Sequence, residues 1–186
     1  EIDYNPTKAT GSDADKKEAF AEVLIEGCDK TSIEYVYGGG NAAAVPATKV
    51  TIKGTYIIDY VFGGGNGYGA GNPGAHVGEK QNGTVAYGTG KAVTELYGGK
   101  IHYVYGGSNT LGNIRQGATV SMPGTNSCTL DIKEIYGAGQ VADMQGSVNM
   151  IIGCVTGIDA IYGGANNANI EGGVTLTITS GTLRQV

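Results

Sequence analysis

The side chains best suited to chemistry recur at fixed places in a repeated block. Its second position carries Glu34, Asp59, His102, Lys133, Asp159 and Arg184 in successive copies. Glu34 and Asp59 fall on neighbouring copies, and stacking at strand spacing would bring them about 5 Å apart. Like charges that close push one pKa up, which is what an acid/base pair for glycan cleavage requires. Exposed charge columns are more often only solvated, so this pair is a weak catalytic candidate and the chain leans away from enzyme. The third position carries Tyr35, Tyr60 and Tyr103. Facing outward, these rings would make an aromatic strip for sugar, with Tyr68, His76 and Tyr87 of a nearby insertion as a side wall. The competing reading is structural: the tyrosines shield strand edges and stabilise the stack.

Other chemistries find less support. The only histidines are His76 and His102, HExxH is missing, and the cysteines have no ligand spacing, so no metal site or cofactor is expected. The glycine run from Gly63 lacks the GK[ST] ending of a phosphate loop. Asn follows the glycines where a calcium-binding solenoid repeat has Asp. Cys128 and Cys154 each stand four residues before the leading Ile of their block, which makes them neighbours on adjacent repeats. Strand spacing tolerates a disulfide there. Two stacked thiols are the preferred reading, with Cys28 free.

The elements that must position these side chains follow from the repeat. IEYVYGGGN from Ile33, IDYVFGGGN from Ile58, IHYVYGGSN from Ile101, IKEIYGAGQ from Ile132 and IDAIYGGAN from Ile158 share one pattern, and the aromatic anchors lie 25, 43, 31 and 26 residues apart. Such a period marks a repeat architecture. After each block come a short apolar element (Val45, Val77, Ile114, Met144, Ile170) and an alternating run such as VTI at Val50 or VTLTI at Val174. Alternation of period two reads as strand. The expected fold is therefore all-β, a right-handed parallel β-helix with three-strand coils of about 25 residues, about five of them plus a partial one. Equivalent positions then pile into ladders, aromatic at Tyr37, Phe62, Tyr105, Tyr136 and Tyr162, and amide at Asn41, Asn66, Asn109, Gln140 and Asn166. The glycines behind the aromatics supply positive φ or close backbone approach.

The β-helix is assigned to residues 23–186, with a loop insertion at 67–92 and a truncated last coil, LRQV from Leu183. Residues 1–22 read as a partial coil or capping segment, with IDY at Ile2 as a remnant of a preceding coil and a short helix capped by Ser12 or Asp13 running to Phe20. The net charge of −5 comes without a basic block, which argues against nucleic acid. No apolar run is long enough for a membrane span. A broken last coil exposes strand edges, so end-to-end self-association is expected.

With IxxVYGGGN and its apolar strand on the page, the chain from about Val23 onward resembles the glycine-rich right-handed β-helix repeats of bacterial surface and secreted proteins, including large repetitive proteins of gut Bacteroidetes. The resemblance implies an extracellular or cell-surface setting, adhesin-like roles, glycans or host surface proteins as partners, and a relation in fold to pectate-lyase-type solenoids. The catalytic apparatus of those lyases has no counterpart that can be placed here. The expected function is a non-catalytic structural or adhesin-like scaffold, with carbohydrate binding through the aromatic face. The alternative is a polysaccharide lyase or glycoside hydrolase of the β-helix type.

Overall fold

A computed structural model of the chain describes residues 2–4, 20–27, 30–68, 74–78, 89–124 and 129–186. Its strands are β1 (Ile2–Tyr4), β2 (Ala21–Glu26), β3 (Ser32–Tyr37), β4 (Thr48–Gly54), β5 (Ile57–Phe62), β6 (Ala92–Leu96), β7 (Gly98–Tyr105), β8 (Ala118–Ser121), β9 (Thr129–Tyr136), β10 (Val148–Ile152), β11 (Val155–Tyr162) and β12 (Val174–Ile178). From β2 onward the chain alternates between two sheets. One is seven-stranded in the order β1-β2-β4-β6-β8-β10-β12, the other five-stranded in the order β11-β9-β7-β5-β3. Every pairing after β1–β2 is parallel. The chain is thus a β-solenoid of about five turns, with β12 and a bridge from Leu183 to Ile158 starting a sixth.

The register places like over like. Ile33, Ile58, Ile101, Ile132 and Ile158 form one column, and Val36, Val61, Val104, Ile135 and Ile161 another. On the seven-stranded sheet, Val23, Val50, Thr94, Val120, Met150 and Leu176 line up likewise. Apart from Thr94, these side chains form a single aliphatic core. Burying a coil's apolar face takes the coils on either side of it, so the stack supplies what no single repeat could.

The third side of each coil is shorter than expected. Val45, Val77 and Ile114 are joined by single parallel bridges, as are Met144 and Ile170, and no strand forms around them. One apolar residue per coil turns inward here, and the chain bends away at once: Pro46 follows Val45 and offers no N–H, and Gly78 follows Val77 at φ 83°. A coil is two strands and a bridged residue, in place of three strands.

The start of the chain also departs from expectation. β1 runs antiparallel to β2, with Ile2 opposite Val23, so it lies across the edge of the seven-stranded sheet as a cover and is not a remnant coil. The first coil begins at Ala21, paired with Thr48. The helix expected up to Phe20 falls on 12–19, outside the described residues, and Phe20 itself is not helical. Among the described residues no helix is long and apolar enough to cross a membrane.

Candidate functional site

In the block Ile-x-x-Val-aromatic, Ile58 and Val61 both turn into the aliphatic core although they are three residues apart. The strand therefore changes face between them, and the third and fifth positions project together on the other side. Phe62, Tyr105 and Tyr136 form a cluster separate from the aliphatic core, with Tyr37, Tyr60 and Tyr103 packed against it. Two aromatic columns result. In one, Tyr37–Phe62, Phe62–Tyr105, Tyr105–Tyr136 and Tyr136–Tyr162 stack with centroids 5.1, 4.9, 4.9 and 4.7 Å apart. In the other, Tyr35–Tyr60 and Tyr60–Tyr103 stack at 5.0 and 5.1 Å. The columns touch side by side, Tyr35 against Tyr37 at 6.0 Å with planes 7° apart and Tyr60 against Phe62 at 6.4 Å. Tyrosines assigned to ligand and tyrosines assigned to structure are one array.

This stacking decides which surfaces remain free. Both faces of Tyr60 are covered, by Tyr35 and Tyr103. Lys133 holds the tip of Tyr103, its Nζ donating to the hydroxyl at 2.9 Å and lying 5.1 Å from the ring centroid. The strip therefore shows ring edges along its length, not the flat faces expected from spacing alone. Among the described residues no ring covers the outer faces of Tyr35, 47% exposed, and of Tyr37, whose plane lies within 7° of it. A cavity of about 370 Å³ lies against both, lined also by Val23, Ile25, Ile33, Val36, Gly39, Asn41 and Asn66.

The amides beside the rings are linked coil to coil. Asn66 Nδ2 donates to Asn41 Oδ1, and Asn109 Nδ2 to Asn66 Oδ1, both at 2.8 Å. Asn109 Nδ2 also lies 3.4 Å from the Tyr37 hydroxyl. Further along, Gln140 bonds the Tyr105 hydroxyl, while Asn166 is exposed. Burial pushes the Tyr105 phenol up to about 12. Tyr136 is pushed up by burial and then by its 2.7 Å donation to Glu134 Oε2, and Tyr37 by burial against the opposing pull of Asn109. The Tyr35 phenol is also raised, by desolvation first and the Glu34 carboxylate second.

The glycine that follows each ring serves close approach. A Cβ on Gly38, Gly63, Gly106 or Gly137 would run into the carbonyl oxygen of its counterpart on the next coil, and none of the four has positive φ. The same approach lets Gly63 N donate to Tyr105 O at 2.8 Å and Gly106 N to Tyr136 O at 3.0 Å.

The charged column pairs differently from the expectation. Asp59 Oδ1 lies 2.9 Å from Nδ1 of His102 on the following coil, and Asp159 Oδ1 lies 3.4 Å from Arg184 Nε. Asp59 thus has a basic partner on the following coil, while Glu34 lies on the coil before it. Among the described residues no group of three or more His, Cys, Asp or Glu side chains could hold a metal.

The insertion is not brought to the array in its described part. His76 O accepts from Val45 N at 2.9 Å and its Nδ1 from Asn113 N at 3.1 Å, while Val77 bridges Val45 and Ile114, so this stretch continues the third side of the coils. Tyr68 is 71% exposed and stacks on none of the array rings, and Tyr87 lies outside the described residues. Cys154 is disulfide-bonded, which corrects the preference for free thiols; Cys28 and Cys128 lie outside the described residues. Sequence reading missed Lys133 as the donor to the Tyr103 hydroxyl and Glu134 as the acceptor of Tyr136. A signal for the second existed, since Glu134 occupies the block position held by Tyr103 one coil earlier.

No protein-family model, curated protein or solved structure matches this chain.

Proposed function

We propose that the chain is a non-catalytic, adhesin-like β-solenoid, secreted or displayed on a bacterial surface, which acts as a rigid scaffold and contacts glycans or host surface proteins through its tyrosine array. The observation that carries this reading is the stacked column Tyr35–Tyr60–Tyr103, exposed at Tyr35 and half-buried at Tyr60 and Tyr103, beside Asp59, His102 and Lys133. Aromatic edges and hydroxyls held at about 5 Å intervals by the coil stack are pre-organised, so a ligand meets them without an ordering cost.

A glycan array probed with the intact protein tests the reading. Binding that Tyr60→Ala abolishes supports it, and the absence of any glycan signal overturns the glycan part. Depolymerisation of an acidic polysaccharide, lost in Asp59→Asn, would overturn the non-catalytic part.

A further inference from the structure

The solenoid end at Tyr35 and Tyr37 differs from the rest of the array, and we infer that it is a discrete pocket for a neutral sugar residue. This inference rests on the glycan-contact reading above and narrows it to one place and one ligand class. Elsewhere in the two columns ring faces are covered by the next ring, except where Tyr103 and Tyr162 end their columns as single rings. Here two near-parallel rings, centroids 6.0 Å apart and planes within 7°, form one aromatic platform against the cavity. The C–H face of a pyranose is flat and apolar, and such a platform is its natural partner.

The polar groups complete the match. The amide ladder donates in one direction, Asn109 to Asn66 to Asn41, so Asn41 has its Oδ1 occupied and ends the ladder with its Nδ2 as donor. Asn41 lines the same cavity as the rings. A purely apolar ligand would strip water from that amide and return nothing, whereas a sugar hydroxyl accepts its hydrogen bond. The cavity, about 370 Å³, stands at the small end of ligand sites and has room for about two sugar rings. None of its lining residues is charged, and Glu34 lies close enough to Tyr35 to raise its phenol. A uronate or sulfated sugar would bring an anion with no cationic partner, so neutral sugars are the class selected.

Titration of the intact protein with cellohexaose, mannohexaose, xylohexaose and hexagalacturonate, followed by saturation-transfer NMR and calorimetry, tests the assignment. At least one neutral oligosaccharide should bind and hexagalacturonate should not. Tyr35→Ala should weaken that binding at least tenfold and Asn41→Ala about fivefold. Tyr35→Phe, which keeps the ring, and Tyr103→Ala, at the far end of the column from the cavity, should stay within about threefold of the parent. Matching thermal melts establish that each variant is folded. A neutral sugar bound equally well by Tyr35→Ala but lost in Tyr103→Ala would overturn the end pocket and leave the glycan-contact reading standing. Preference for hexagalacturonate would overturn the ligand class. Binding of none of the four would overturn the pocket, and a blank glycan array as well would take the broader reading with it.

Discussion

Thr94 stands in register with Val50 on the preceding coil, and among the described residues its fully buried hydroxyl has no hydrogen-bond partner. The next residue in the same column is Val120. A hydroxyl stripped of water in an aliphatic column costs free energy, while a methyl group of the same shape does not. Thr94→Val should therefore stabilise the protein by about 1 kcal/mol. A rise in the urea midpoint at unchanged slope is the expected result, and an unchanged or lower midpoint would contradict it.

Gly106 and Gly173 form a matched pair for the close-approach argument. A Cβ on Gly106 would collide with the carbonyl oxygen of Gly137 and press on Val120 and Ala118, whereas one on Gly173 meets nothing within 4 Å. Gly106→Ala should cost about 3 kcal/mol, because the coils must separate to admit the methyl. Gly173→Ala should change stability by less than about 0.5 kcal/mol. Equal effects in chemical denaturation would refute the inter-coil explanation.

Alkaline stability should depend on Tyr105. Its phenol is raised to about 12 in the fold against an ordinary value of 10.0, so the folded state keeps a proton that the unfolded chain releases. The stabilisation is complete below pH 10 and is lost as pH rises through about 12. Tyr136, raised chiefly by burial, acts in the same direction. Tyr105→Phe should flatten the fall of unfolding free energy above pH 10, and ultraviolet titration should show one fewer late-ionising tyrosine. A variant that loses stability along the parent's curve would show that the phenol does not carry the effect.

The disulfide at Cys154 should hold adjacent coils together. Cys154 and Cys128 sit at equivalent places before Ile158 and Ile132, which are paired in register. Peptide mapping without reductant should recover Cys154 joined to Cys128, and reduction should lower stability by about 2–4 kcal/mol. Recovery of Cys154 joined to Cys28 would refute the pairing.

Much of this protein was legible in the recurrence of Ile-x-x-Val-aromatic-Gly. Parallel in-register stacking sets each residue over its copy, so a repeated letter becomes a column, and the columns of Ile33, Tyr37 and Asn41 follow from counting alone. Spacing could not say what lies on either side of a column. Asp59 has neighbours on two coils, and the fold gave it His102 as a partner on one of them. The face change between Ile58 and Val61 merged two tyrosine ladders into one array, and the stack itself covered most of the faces that an aromatic strip was expected to offer. Pro46 and Gly78 cut the third strand to a bridge. The linear code fixed which residues are vertical neighbours; the closing of each coil, a non-local event, decided which of their surfaces are left for a ligand.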